Sequence, residues 1–237
     1  MDSHQLAIAR LAWARTLGLS DDALSNSGTH EGGSSTTVEF LRLGDVCALV
    51  GPTYLTDRTA GSALDAFADP ATLLSLTEDR SARCIGPEIL YFATDYAAVG
   101  AGPEDGGPDD DGPLVSREPH HAHAVARLCP PDDIADLHLD QQDTSFTILT
   151  DDEYPTSTAG YLEKEGLVAD VAVLTAPTHR RNGLASAVGR FATDDALDSG
   201  LIPQFRVHRD NFAGQALARR LGYIEGGLRL SLNVQPK

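Results

Sequence analysis

The stretch Val171–Tyr223 decides the fold, and it reads VAVLTAPTHRRNGLASAVGRFATDDALDSGLIPQFRVHRDNFAGQALARRLGY. Its first residues are apolar and predict a strand, which ends in a turn at Pro177. Arg180–Gly183 then precedes apolar residues that recur at helical spacing, which predicts an amphipathic helix. A second strand over Pro203–Val207 and a short helix that begins at Asn211 complete the predicted order.

The turn between the first strand and the helix is suited to an anion, because a helix start presents free N–H groups and a positive dipole end. The segment has no Gly-Lys-Ser/Thr and only one glycine, so it is neither a Walker A loop nor a dinucleotide fingerprint. Arg180, Gly183 and Ala185 instead fit the pattern R/Q-x-x-G-x-G/A.

The motif Arg180-Arg181-Asn182-Gly183-Leu184-Ala185, its leading strand and the downstream Leu221-Gly222-Tyr223 together resemble the GNAT superfamily of acyl-CoA N-acyltransferases. The resemblance covers the C-terminal half. It implies an α/β (α+β) fold with a mixed, mostly antiparallel sheet flanked by helices, preceded here by a smaller α+β N-terminal region. It also implies that the sheet splays between its fourth and fifth strands, where acetyl-CoA enters as cosubstrate.

The resemblance assigns cofactor-binding roles by position. Backbone groups of the central strand pair with the pantetheine arm, and one of its N–H groups, that of Val173 or Leu174, serves the oxyanion. The loop cradles the diphosphate, and an asparagine contacts the arm. Ordinary alternatives are a buried strand, a turn glycine and a helix N-cap. The matching residues are Val173, Leu174, Thr175, Arg180, Arg181, Asn182, Gly183, Leu184, Ala185, Ser186 and Asn211.

The catalytic positions of the family are altered in this chain. The tyrosine that serves as general acid is replaced by Ala218, and the glutamate that serves some members as base is replaced by Arg206. Asp170, His208 and Tyr223 are the candidate substitutes, and an ordinary structural role is the alternative for each.

The charge distribution limits the classes of partner that the protein can bind. The net charge is −17, yet residues 167–237 hold nine Arg and Lys against six Asp and Glu. Such acidity disfavours nucleic acid and anionic membrane, while the basic region coincides with the proposed phosphate loop. No apolar run reaches the ~18 residues of a membrane span. The three scattered cysteines and the absence of a signal-peptide pattern predict a cytoplasmic protein with reduced thiols.

The chain is predicted to have three parts. Residues 1–100 form an N-terminal α+β region. It is predicted to be scaffold or substrate-side cover, or else a degenerate acyltransferase half that contributes packing or a homodimer surface. Residues 101–118 form an acidic linker, and residues 119–237 the acyltransferase domain. The predicted elements of the first part are a helix over 3–17, a loop over 19–35, a hairpin over 37–50, short helices over 52–76 and a strand over 85–93.

Elements of the third part follow from apolar runs and turn residues. They are a strand at Ala124–Leu128, a helix at Asp132–Leu139, strands at Phe146–Thr150 and Ala159–Glu163, and the central strand at Leu167–Ala176.

Two metal alternatives are weak. Residues 107–118 place oxygen ligands at calcium-loop offsets, but Gly107 stands at the first position and Pro108 and Pro113 interrupt, which favours a solvated linker. His120, His121 and His123 lack the second ligand pair of a zinc site. No metal is therefore predicted.

The leading functional prediction is an N-acyltransferase that moves an acetyl group from acetyl-CoA to a primary amine of a small molecule or protein. The alternative is a non-catalytic acyl-CoA-binding regulatory module, for which the missing acid and base are the clue.

Overall fold

In the computed structural model, which describes residues 1–96, 113–135, 137–138, 141–142 and 144–235, helices and strands are interspersed along the chain. The helices are α1 (Ser3–Thr16), α2 (Tyr54–Thr59), α3 (Pro70–Ser75), α4 (Pro119–Arg127), α5 (Pro131–Ile134), α6 (Leu184–Asp198) and α7 (Phe212–Arg220). The strands are β1 (Gly28–Glu31), β2 (Thr37–Leu43), β3 (Val46–Gly51), β4 (Ala82–Phe92), β5 (Leu114–Ser116), β6 (Thr144–Leu149), β7 (Pro155–Lys164), β8 (Val168–Thr175), β9 (Ile202–His208) and β10 (Ile224–Val234). Short 3-10 turns lie at Ala23–Ser25, Leu64–Ala68 and Pro177–His179.

These elements group into two compact units. The first unit comprises Met1–Phe92, Arg206–Gln215 and Glu225–Lys237. The second unit comprises Ala93–Phe205 and Ala216–Ile224. Residues 101–112 of the predicted acidic linker, with half of the calcium-loop alternative, lie outside the described residues, whereas Leu114–Ser116 form β5 and pair with β6. The division at 101–118 stays a prediction.

The first unit is built on strands in the order β1-β3-β2-β10-β4. The predicted hairpin is confirmed, because β2 and β3 pair antiparallel across the turn Gly44-Asp45 with Phe40 opposite Leu49. Strand β10 pairs antiparallel with β2, and alternate side chains of these strands, such as Leu230, are fully buried. The predicted N-terminal helix is also present, and Asp2 and Gln5 form its capping box.

A charged network lies inside the first unit. The guanidinium of Arg229 donates to both carboxylate oxygens of Glu39, at 3.0 and 2.9 Å, and to Glu88 at 2.7 Å. Burial disfavours the charged form of Arg229, but the two carboxylates outweigh this and hold its pKa above the ordinary arginine value. The network is therefore satisfied internally and joins β2, β4 and β10.

The second unit carries strands in the order β9-β8-β7-β6-β5. Neighbours from β5 to β8 are antiparallel, whereas β8 and β9 are parallel. Helix α6 packs on β7 and β8, and Val125 of α4 packs with Leu174 of β8 in a small apolar cluster. The predicted class is confirmed: the fold is α+β, with a mostly antiparallel sheet flanked by helices.

Three predicted elements are corrected. The strand predicted at Ala124–Leu128 is wrong, because this segment is the end of helix α4, whose buried residues Ala122 and Val125 lie three apart on one face. The loop predicted over residues 19–35 contains a 3-10 turn and β1, which forms by parallel pairing with β3. The helix predicted to run to Leu139 is described only over α5, and Leu139 lies outside the described residues.

Candidate active site

Strand β8 is paired differently along its two edges. Its antiparallel ladder with β7 continues to the last residue, where Thr175 lies opposite Ser157. Its parallel ladder with β9 covers only Val168–Val171, opposite Ile202–Phe205. The residues Ala172–Thr175 therefore extend beyond the β9 ladder, which is the local splay that the family resemblance implied.

The hydrogen-bond alternation shows which residue directs its backbone to this free edge. The N–H of Ala176 donates to the carbonyl of Thr156 at 2.9 Å, in register with the β7 ladder. Because antiparallel pairs alternate, Leu174 also directs its backbone to β7, while Val173 and Thr175 turn theirs away. Val173 and Leu174 were the two alternatives for the N–H group that serves the oxyanion, and the alternation favours Val173.

The carbonyl of Thr175 is already engaged. It accepts a hydrogen bond from Nε of Arg180 at 3.1 Å, and the thiol of Cys129 lies 3.7 Å from it. Burial raises the pKa of that thiol, so it remains protonated. The other end of the Arg180 guanidinium donates to Oδ2 of Asp133 at 2.7 Å. Arg180, predicted to face the diphosphate, is thus bound to groups of its own chain.

The loop that follows turns twice through the left-handed region. Arg181 has φ of 69° and Gly183 has φ of 79°. Gly183 is the N-cap of α6 and provides no side-chain cap, while its carbonyl accepts from Ser186 and Ala187. Within the described part of the chain, no group accepts from the N–H groups of Leu184 and Ala185. The α6 start therefore presents unused donors.

The space beside Gly183, at the start of α6, is open. A Cβ built on Gly183 would meet no atom within 4 Å. Arg181 and Asn182 are exposed, whereas Ser186 is only 8% exposed and faces the interior. Open donors, a positive helix end and an exposed cation fit a diphosphate, so the residues present are compatible with acyl-CoA.

Asn211 and His208 belong to the first unit. The side chain of Asn211 accepts from the N–H of Gly214 at 2.9 Å, which is the N-cap role that the sequence offered as an alternative. The ring of His208 accepts from the N–H of Asp210 at 3.2 Å and is about half exposed, at 48%.

The other two catalytic candidates lie in the second unit. Tyr223 is buried, its hydroxyl lies 2.9 Å from that of Thr193, and its ring packs near Phe205. Burial raises its pKa, so the phenol stays protonated in the core. Asp170 is partly exposed, and its Oδ1 accepts from the side-chain amide of Gln204 at 3.2 Å.

The two altered family positions have other roles here. Ala218 is fully buried at 0% exposure. Arg206 lies 3.8 Å from Glu88, which also binds Arg229. Neither position offers a proton donor or acceptor to a substrate.

Asp133 and Cys129 were not predicted from the sequence as parts of the site. Asp133 lies 47 residues before Arg180, and no motif spacing links the two. In the described residues, no three His, Cys, Asp or Glu side chains are arranged to hold a metal ion. No described helix is long and apolar enough to span a bilayer.

The strand, loop and helix together are those of an N-acyltransferase. Residues 115–223 match the model of the acetyltransferase (GNAT) family, and this part of the chain is a GNAT acetyltransferase domain. None of the curated proteins compared with the chain matches it significantly.

Solved structures share the fold. A GCN5-related N-acetyltransferase-like protein from Streptococcus suis is 16% identical, with 85% of each chain covered and a TM-score of 0.50. A Drosophila protein is 14% identical, with 72% of this chain and 58% of its own covered and a TM-score of 0.52.

Proposed function

We propose that the protein transfers an acetyl group from acetyl-CoA to a primary amine of a small molecule or protein. Family membership indicates acyl transfer from acyl-CoA. One observation supports acetyl-CoA as the donor: the free edge of β8 at Val173 leads along the chain into the open start of α6. A pantetheine arm needs backbone partners along a strand, and a diphosphate needs donors at its end.

Each part of this surface has a distinct role in the proposal. The N–H groups of Leu184 and Ala185, with Arg181, bind the diphosphate. When bound, acetyl-CoA supplies an activated thioester carbonyl. The N–H of Val173 donates to that carbonyl oxygen and stabilises the negative charge that develops there.

The acceptor amine must be neutral to attack, and the departing thiolate benefits from a proton. Among the three candidates, Asp170 and His208 retain exposed surface, whereas the hydroxyl of Tyr223 is buried. We infer that Asp170, which lies in the same unit as Val173 and the start of α6, removes the amine proton and that solvent protonates the thiolate.

The test is release of the CoA thiol in the presence of a panel of amines: polyamines, aminoglycosides and peptides with free N-termini. We expect turnover with at least one class and a mass increase equal to one acetyl group on that acceptor. Acetyl-CoA that fails to bind would refute the proposal at its first step.

A second candidate is the regulatory module that binds acyl-CoA without turnover. The burial of Ala218 and the pairing of Arg206 with Glu88 favour it, because both family catalytic positions are lost. Tight binding of acetyl-CoA with no thiol release on any amine would support this candidate over the enzyme.

A further inference from the structure

An ion pair between Asp133 and Arg180 lies next to the proposed phosphate loop. Oδ2 of Asp133, in α5, accepts from Nη2 of Arg180 at 2.7 Å. The pair is partly exposed, with 44% of the Arg180 side chain and 37% of the Asp133 side chain accessible. It joins a short helix to the segment that follows β8.

The same guanidinium also reaches back to the strand. Its Nε donates to the carbonyl of Thr175, five residues earlier. Arg180 thus holds two elements at once, and it lies three residues before Gly183. A planar guanidinium with donors in fixed directions can make both contacts only in a restricted orientation.

We propose that Asp133 is a positioning residue for acyl-CoA binding, because it orients Arg180 across the end of β8 and so fixes the backbone of Arg181–Ala185. This inference rests on the proposed function of that loop. Asp133 itself does not touch the cosubstrate; it acts through Arg180.

The arrangement changes the role expected of Arg180. A carboxylate near a diphosphate site would repel the ligand unless it were neutralised, and Arg180 neutralises Asp133. The positive potential offered to the diphosphate then comes from Arg181 and the N–H groups at the α6 start. Removing either partner of the pair should therefore change the backbone conformation of the same loop, Arg181–Ala185.

The test is a double-mutant cycle with Asp133→Asn, Arg180→Gln and the double variant, measured as the Kd of CoA by calorimetry and as KM and kcat. We expect each single variant to weaken CoA binding about fivefold, the upper range for a partly exposed pair. Once one partner is gone, the second substitution should add little. The effect should appear in KM for acetyl-CoA, with kcat unchanged within about twofold.

The neighbouring carboxylate provides the matched control. Asp132→Asn removes the same charge one residue earlier on α5 and should leave the Kd of CoA within about twofold of the wild type. Asp133→Glu keeps the charge and should recover part of the affinity. If Asp133→Asn does not fold, Asp133→Ser takes its place in the cycle.

The outcomes separate the two proposals. If wild-type protein does not bind CoA, the proposed function fails. If it binds CoA and Asp133→Asn binds equally well or more tightly, the positioning role is wrong. If the losses of CoA affinity in the two single variants add up in the double variant, and Arg180→Gln weakens binding much more than Asp133→Asn, Arg180 contacts the diphosphate directly.

Discussion

The hydroxyl groups of Tyr223 and Thr193 lie 2.9 Å apart in the core of the second unit. Thr193 donates its own proton to the carbonyl of Gly189 at 2.7 Å, so the phenol must be the donor between the two hydroxyls. A phenol whose proton is committed to a buried acceptor is poorly placed to protonate a leaving thiolate.

Tyr223→Phe should therefore affect stability rather than chemistry. It removes one neutral buried hydrogen bond, worth about 1 kcal/mol. We expect a lower Tm by thermal unfolding and a kcat within about twofold of the wild type. A large fall in kcat with the fold intact would restore Tyr223 as a catalytic residue.

Gly183→Asp should weaken CoA binding at least about tenfold, because it places a carboxylate beside the proposed diphosphate site. The control is Gly200→Asp, since Gly200 also has positive φ, at 76°, and open space around its Cβ position. Both variants introduce the same backbone strain, and calorimetry with CoA compares them. Equal affinity in the two variants would contradict the phosphate role of this loop.

Asp170→Asn tests the proton acceptor. Asparagine keeps a side-chain oxygen for the amide of Gln204 but removes the base. If Asp170 serves as base, kcat should fall by about 100-fold or more while the Kd of acetyl-CoA is unchanged. Unchanged kcat, with acetyl-CoA still bound, would exclude Asp170 as the base.

Arg229→Met should be among the most destabilising single changes in the first unit. It leaves the partly buried carboxylates of Glu39 and Glu88, each with 14% of its side chain exposed, without their shared cation, at a cost of up to about 3–5 kcal/mol. The comparison is Arg15→Met, which breaks an ion pair with exposed Asp21 and should change the urea midpoint far less. Similar midpoints for both variants would mean that the network contributes little.

His30 gives the first unit a pH dependence. Burial lowers the pKa of this histidine below its ordinary value of 6.5, and its Nε2 has no hydrogen-bond partner among the described residues. Between its folded and unfolded pKa values the unfolded chain binds more protons, so stability is full above about pH 6.5 and falls as the pH drops below it. His30→Gln should flatten this part of the unfolding profile, and an unchanged profile would exclude His30 as its source.

Much of the segment from β8 to α7 could be predicted because its signals are local. The order β8, loop, α6, β9 and α7 follows from apolar periodicity, Pro177, Gly183 and Asn211, all of which act on their neighbours in the chain. The free edge of β8 was implied by the family resemblance, and the choice of Val173 over Leu174 needed the ladder register.

The features that were missed depend on tertiary pairing. Residues 124–128 suit a strand or a helix equally well by composition, and packing of α4 on the sheet decides between them. Strand β1 exists because β3 offers it an edge. The pair Asp133 and Arg180 joins segments far apart in sequence, so no local pattern could reveal it.

The complete burial of Ala218 limits how this enzyme could evolve. A phenol at that position would have to enter an occupied interior, and overpacking of that kind commonly costs about 1–3 kcal/mol. A tyrosine at position 218 would thus need smaller side chains around it before it could be accommodated. Steric exclusion therefore keeps this position closed to the family's proton donor.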